Sequence, residues 1–145
     1  MKLTPVKQWI CDECNEIIKK PEDGWLEWED SQGKKGNFRI VHHKTASPKA
    51  PHGDCYMKNK PVGDMHLHQF CGDDGLSALL TMFSDVEKPD ELVDIIRRLH
   101  TPSYEEAKLY WSDAQDGGYF DSANEVSPYL QKSLEGLIKR YGKGY

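Results

Sequence analysis

Apolar residues recur with two different periods along this chain, and the change falls near residue 72. Before it the period is two. In Trp25-Leu26-Glu27-Trp28, Trp25 and Glu27 face one way and Leu26 and Trp28 the other, as in a short strand behind an Asp23-Gly24 turn signal. Residues 31–37, Ser-Gln-Gly-Lys-Lys-Gly-Asn, read as a turn, and 38–43, Phe-Arg-Ile-Val-His-His, as the returning strand, so a β-hairpin is expected over about 25–43. The Pro- and Gly-containing stretch 44–54 follows as a loop.

After residue 72 the period is helical. Leu76, Leu79, Leu80 and Phe83 share one face, with an aspartate ahead of them as a cap. A second helix starts at Pro89, carries Asp90 and Glu91 at its positive end and Arg97 and Arg98 at its negative end, and stops at Thr101-Pro102. A third opens on a Ser103–Glu106 capping box and runs to Gly117-Gly118. A fourth, from about Ser127, places Leu130, Leu134, Leu137, Ile138 and Tyr141 on one side. The pattern predicts an α+β protein: a small β module, 1–71, followed by a helical domain of about four short helices, 72–145, packed against it.

Composition sharpens this. Hydrophobic residues make up 37% of 145, which leaves the front half short of core and in need of a staple. No apolar run reaches the eighteen or so residues that span a bilayer, and the first residues lack a secretory pattern, so a cytoplasmic, reducing setting is expected. Net charge is −5, which disfavours indiscriminate binding to phosphate backbones. Between Ser31 and Gly63, however, Lys34, Lys35, Arg39, Lys44, Lys49, Lys58 and Lys60 meet a single acid, Asp54. A cationic stretch of this kind is most often a solvated surface.

The front half also holds all four cysteines and five of the six histidines. Cys11-Asp12-Glu13-Cys14 is a spacing at which one tight turn aims two sulfurs at one ion. A redox pair would instead follow a strand and open a helix, and neither is expected here. Cys55 supplies a third sulfur. Strand alternation sends His42 and His43 to opposite faces, so one of them completes a tetrahedron. The expected set is Cys11, Cys14, His42 and Cys55 around one structural Zn2+, with His43 and His52 as alternatives to His42. His66, His68 and Cys71 form a possible second site if residues 66–68 are extended, although a buried Cys71 and surface histidines explain them as well.

Residues 8–58, with an aromatic residue, Cys11-x-x-Cys14, the apolar pair Ile17-Ile18 and then a hairpin, resemble a zinc-ribbon or zinc-knuckle module and small bacterial and phage-associated proteins. A zinc ribbon ordinarily closes with a second Cys-x-x-Cys. Here Cys55 and neighbouring histidines stand in its place.

Three functions fit these residues. A closed zinc site would staple a non-enzymatic interaction protein whose partner is another protein. The same module could bind single-stranded nucleic acid through Lys34, Lys35, Arg39, Lys44 and Lys49 beside Trp25, Trp28, Phe38 and Tyr56. Ile40-Val41-His42-His43 is also similar to the histidine pair of HNH-type metal-dependent nucleases, without their later asparagine and histidine. Glu105, Glu106, Asp113 and Asp116 read as a solvated helix face rather than as catalytic carboxylates.

Overall fold

The computed structural model describes residues 2–58, 60 and 62–142; Met1 and residues 143–145, at the outer ends of the two expected domains, lie outside it. It is α+β, with two antiparallel sheets and five α-helices among the described residues. Strands β1 (Trp9–Ile10) and β2 (Ile17–Ile18) pair across the Cys11–Cys14 turn. Strands β3 (Gly24–Ser31), β4 (Lys34–His42) and β5 (Val62–His66) form a second sheet in the order β4-β3-β5.

The β3–β4 hairpin turns more tightly than expected. Only Gln32 and Gly33 lie outside the strands, with φ of 53° and 80°, the left-handed pair that matches the twist of two-residue hairpins. Register slips between Glu27 and Glu29, where Asn37 takes a φ of 51° and the strand bulges. Strand β5 carries no alternating apolar pattern that would mark it in the sequence. It pairs with β3 from Trp25↔His66 to Glu29↔Val62, and Gly63 is required there because a Cβ would sit 2.3 Å from Trp28 Nε1. Strand β5 ends at His66, and Leu67–Phe70 form a 3-10 turn, so His66 and His68 do not share an extended segment.

Helices α1 (Gly72–Thr81) and α2 (Pro89–His100) pack on the sheet: Leu79, Leu92, Ile95 and Leu99 join Trp9, Leu26, Trp28 and Ile40 in one hydrophobic cluster. Pro89 opens α2 as expected, with Asp90 and Glu91 in its first turn. Helix α1 has Cys71 at its N-cap with no side-chain hydrogen bond, rather than an aspartate cap, and Leu80 is exposed. The single helix expected after Ser103 is two, α3 (Tyr104–Lys108) and α4 (Trp111–Asp116). Between them the bonds tighten to the i−3 pattern, Leu109 N–H to Glu106 and Tyr110 N–H to Ala107, which turns Tyr110 into the core.

The Ser103–Glu106 capping box does not form. Ser103 sits at φ 72° with its hydroxyl accepting from Gln131, and Glu106 instead accepts the Leu3 N–H at 2.5 Å. Helix α5 (Gln131–Tyr141) buries Leu134 and Leu137 but leaves Leu130 exposed at its N-cap. With Tyr104, Ala107, Tyr110 and Ala114 these leucines form a second hydrophobic cluster, flanked by Trp111, Phe120 and Tyr129.

Candidate metal centre

The turn after β1 is built by a short hydrogen-bond pattern. Asn15 N–H donates to Cys11 O at 3.0 Å, Cys11 N–H to Glu16 O at 2.9 Å, and Asn15 takes the left-handed φ of 63° that closes the knuckle. The two sulfurs therefore come from one turn. His42 arrives at the end of β4, and Cys55 from the loop that returns toward β5. The ligand atoms of Cys11, Cys14, His42 and Cys55 all lie within 4.8 Å of one another. Among the described residues this is the one such group of histidine, cysteine and carboxylate side chains.

Its dimensions fit a small tetrahedral ion. Bonds of about 2.3 Å to sulfur and about 2.0–2.1 Å to nitrogen set the ligand atoms of such a centre about 3.6–3.8 Å apart. His42 Nδ1 is 3.4 Å from Cys14 Sγ and 3.9 Å from Cys55 Sγ. The other imidazole nitrogen, Nε2, lies 3.1 Å from the Ile17 carbonyl. A carbonyl only accepts, so Nε2 carries the proton and Nδ1 turns its lone pair toward the sulfurs.

Burial makes the same point. Cys11 and Cys55 are 0% exposed and His42 3%, with Cys14 half-buried at the surface side. Burial pushes the Cys14 thiol up to about 12, and the neighbouring sulfurs add to the push against a bond from the Glu16 N–H. Burial raises Cys55 as well, while Ser47 opposes it. Cys14 and Cys55 thus resist ionisation on their own, and a divalent cation is what would hold the sulfurs as thiolates. Ser47 Oγ lies 3.1 Å from Cys55 Sγ and already accepts the Lys49 N–H, so its own proton is free for the sulfur.

The loop carrying Cys55 is fastened from below. Glu27 shares its face of the strand with Trp25 and is 2% exposed: its two oxygens accept the Met57 N–H at 3.1 and 2.9 Å, and Arg39 Nε stands 3.4 Å away. Burial raises the Glu27 carboxyl, offset in part by Met57 and Arg39. Arg39 Nη2 also donates to the Cys55 carbonyl at 3.0 Å and to Glu13 at 2.9 Å. Glu13, inside the knuckle, takes Lys49 at 2.9 Å too, and these two bonds hold its carboxyl below the ordinary range. Glu13, Glu27, Arg39 and Ser47 thus brace the centre, and Asp12 joins them by accepting the Ile40 N–H at 2.8 Å; in the sequence only the two acids between Cys11 and Cys14 point to this.

The remaining histidines and Cys71 lie elsewhere. His43 packs edge-on to Trp25 at 5.2 Å and His66 does so at 4.5 Å, with His43, His66 and His68 stacked in a row at 5.3 and 5.4 Å. His52 is exposed in the loop before Cys55. Cys71 is half-buried, its Sγ 3.5 Å from the Leu67 carbonyl, and burial lifts its thiol to about 11. The carboxylates expected on a solvated face divide: Asp113 and Asp116 are exposed, whereas Glu105 is 7% exposed and takes both of its bonds from Arg98 Nε, at 2.8 and 3.0 Å.

Comparison with protein-family models, with curated proteins and with solved structures finds no match. No helix among the described residues is long and apolar enough to cross a membrane.

Proposed function

We propose that Cys11, Cys14, His42 and Cys55 hold one structural Zn2+, and that the chain works by association with another protein rather than by catalysis. The observation that carries this reading is the closed donor set: three sulfurs and one imidazole nitrogen converge within 4.8 Å, enough to fill a tetrahedron. Four protein ligands leave no position for water or substrate, so such a centre stabilises structure and does no Lewis-acid chemistry. Three thiolates also favour zinc over the harder, oxygen-seeking divalent ions. In a nuclease one histidine of the 42–43 pair would activate water; His42 has both nitrogens engaged, which leaves only His43 for that role.

Charge supports a protein partner over a nucleic acid. Of the cations between residues 34 and 60, Lys35 faces Asp85, Arg39 and Lys49 face Glu13, Lys58 faces Asp54, and Lys60 faces Glu29. With five of the seven cations there matched by carboxylates, the surface offers a reduced field to a phosphate backbone.

Elemental analysis of protein purified without added metal tests the reading, with one zinc per chain expected. Absence of bound zinc after purification under reducing conditions would overturn it. Incubation with plasmid DNA and Mg2+ or Mn2+ should leave the DNA intact; cleavage that His43→Ala abolishes would overturn the non-catalytic assignment.

A further inference from the structure

Asp12 occupies the middle of the Cys11–Cys14 turn and serves two partners with one oxygen. Its Oδ2 accepts the Ile40 N–H at 2.8 Å, two residues before His42, and Arg98 Nη1 at 2.7 Å. Arg98 lies on α2, 86 residues from Asp12 in the chain. From Nη2 it also donates to the Ile10 carbonyl at 3.0 Å, the residue just ahead of Cys11, and its own carbonyl accepts the Trp9 indole N–H at 2.8 Å. Its third arm, Nε, holds Glu105 on α3. Burial opposes the charge on Arg98, but Glu105 and Asp12 outweigh it and keep the guanidinium ionised.

One guanidinium that is 5% exposed therefore grips the strand entering the knuckle, the knuckle itself and a helix of the second core. We infer that Arg98 is the positioning residue of the metal centre, presetting the Cys11–Cys14 turn against β4 through Asp12 and Ile10. This deepens the zinc reading and rests on it. The planar fork is what the task needs: Nη1 and Nη2 reach two acceptors on one turn while Nε engages a third, and an ammonium is a single point that cannot span them. Because Asp12 also holds the Ile40 N–H, the same contact sets the approach of His42 to the two sulfurs.

The test is a Co2+ titration of the full chain, read by thiolate charge-transfer and d–d bands and by competition with a chromophoric chelator. Asp12→Asn and Arg98→Lys should each weaken metal affinity about 10–100-fold, the usual cost of losing a group that orients a ligand. Glu105→Gln, which spares the Asp12 and Ile10 contacts, should leave the affinity unchanged while lowering the urea midpoint. Wild-type affinity in both Asp12→Asn and Arg98→Lys would overturn the inference. Equal losses in all three variants would overturn it too, since they would report general loosening. Should Arg98→Lys fail to fold by circular dichroism, Asp12→Asn decides alone, because Asp12 is exposed. A wild-type protein that gives no tetrahedral Co2+ spectrum would defeat the zinc reading itself, before any variant is compared.

Discussion

His42 and His43 are neighbours with different fates, and the difference is one of pleat. His42 is 3% exposed with Nδ1 on the sulfurs and Nε2 on the Ile17 carbonyl, while His43 packs against Trp25 and its Nδ1 lies 3.2 Å from the Thr45 hydroxyl. His42→Ala should therefore lower bound zinc well below one equivalent, whereas His43→Ala should retain a full equivalent, as measured by elemental analysis after gel filtration. Much of this was legible beforehand. The spacing of Cys11 and Cys14 marks one tight turn, and strand alternation separates His42 from His43. The bracing residues were not legible, because their partners come from far along the chain: Glu27 with Met57, Arg39 with Glu13, and Arg98 with Asp12. No local pattern shows that a glutamate in an alternating strand will be roofed by a loop thirty residues on.

At the scale of elements, β5 and the α2–α3 junction carry the sharpest predictions. Strand β5 is short and contains Gly63 and Asp64, poor strand formers, so its pairing depends on β3 and on the Trp28 indole lying over Gly63. Gly63→Ala should cost about 1–3 kcal/mol by overpacking, read as a lower urea midpoint. Across the junction, Asp94 on α2 accepts the Tyr104 hydroxyl at 2.5 Å and Lys108 Nζ at 2.8 Å, both from α3. Burial alone would raise Asp94, but these bonds from Lys108 and Tyr104 prevail and hold it below its ordinary 3.8. A depressed carboxyl adds stability above its unfolded value, and that stability is lost as pH falls through the folded one. Asp94→Asn should thus lower stability by about 0.5–1 kcal/mol at pH 7, a modest figure because the pair is a third exposed, and the gap to wild type should close as pH falls through the lowered Asp94 value. The break between α3 and α4 escaped the sequence for the opposite reason. Residues 103–117 keep a helical period throughout, and nothing in that period marks the tighter turn that brings Tyr110 into the core.

For the whole molecule, polar contacts join the two apolar clusters, among them Arg98 with Glu105 and Asp94 with Tyr104 and Lys108. The first cluster includes Cys11 and Cys55 themselves, so on the zinc reading the ion sits at the edge of the main core. Chelation should then loosen Trp9, Leu26 and Ile40 amides in hydrogen exchange while α5 keeps its protection until global unfolding. The zinc reading stands or falls with the atoms that would surround the ion. X-ray absorption at the zinc edge of the purified protein measures that directly. The account predicts three sulfurs at about 2.3 Å and one nitrogen at about 2.0–2.1 Å. A shell of oxygen and nitrogen alone, or fewer than three sulfurs, would contradict it.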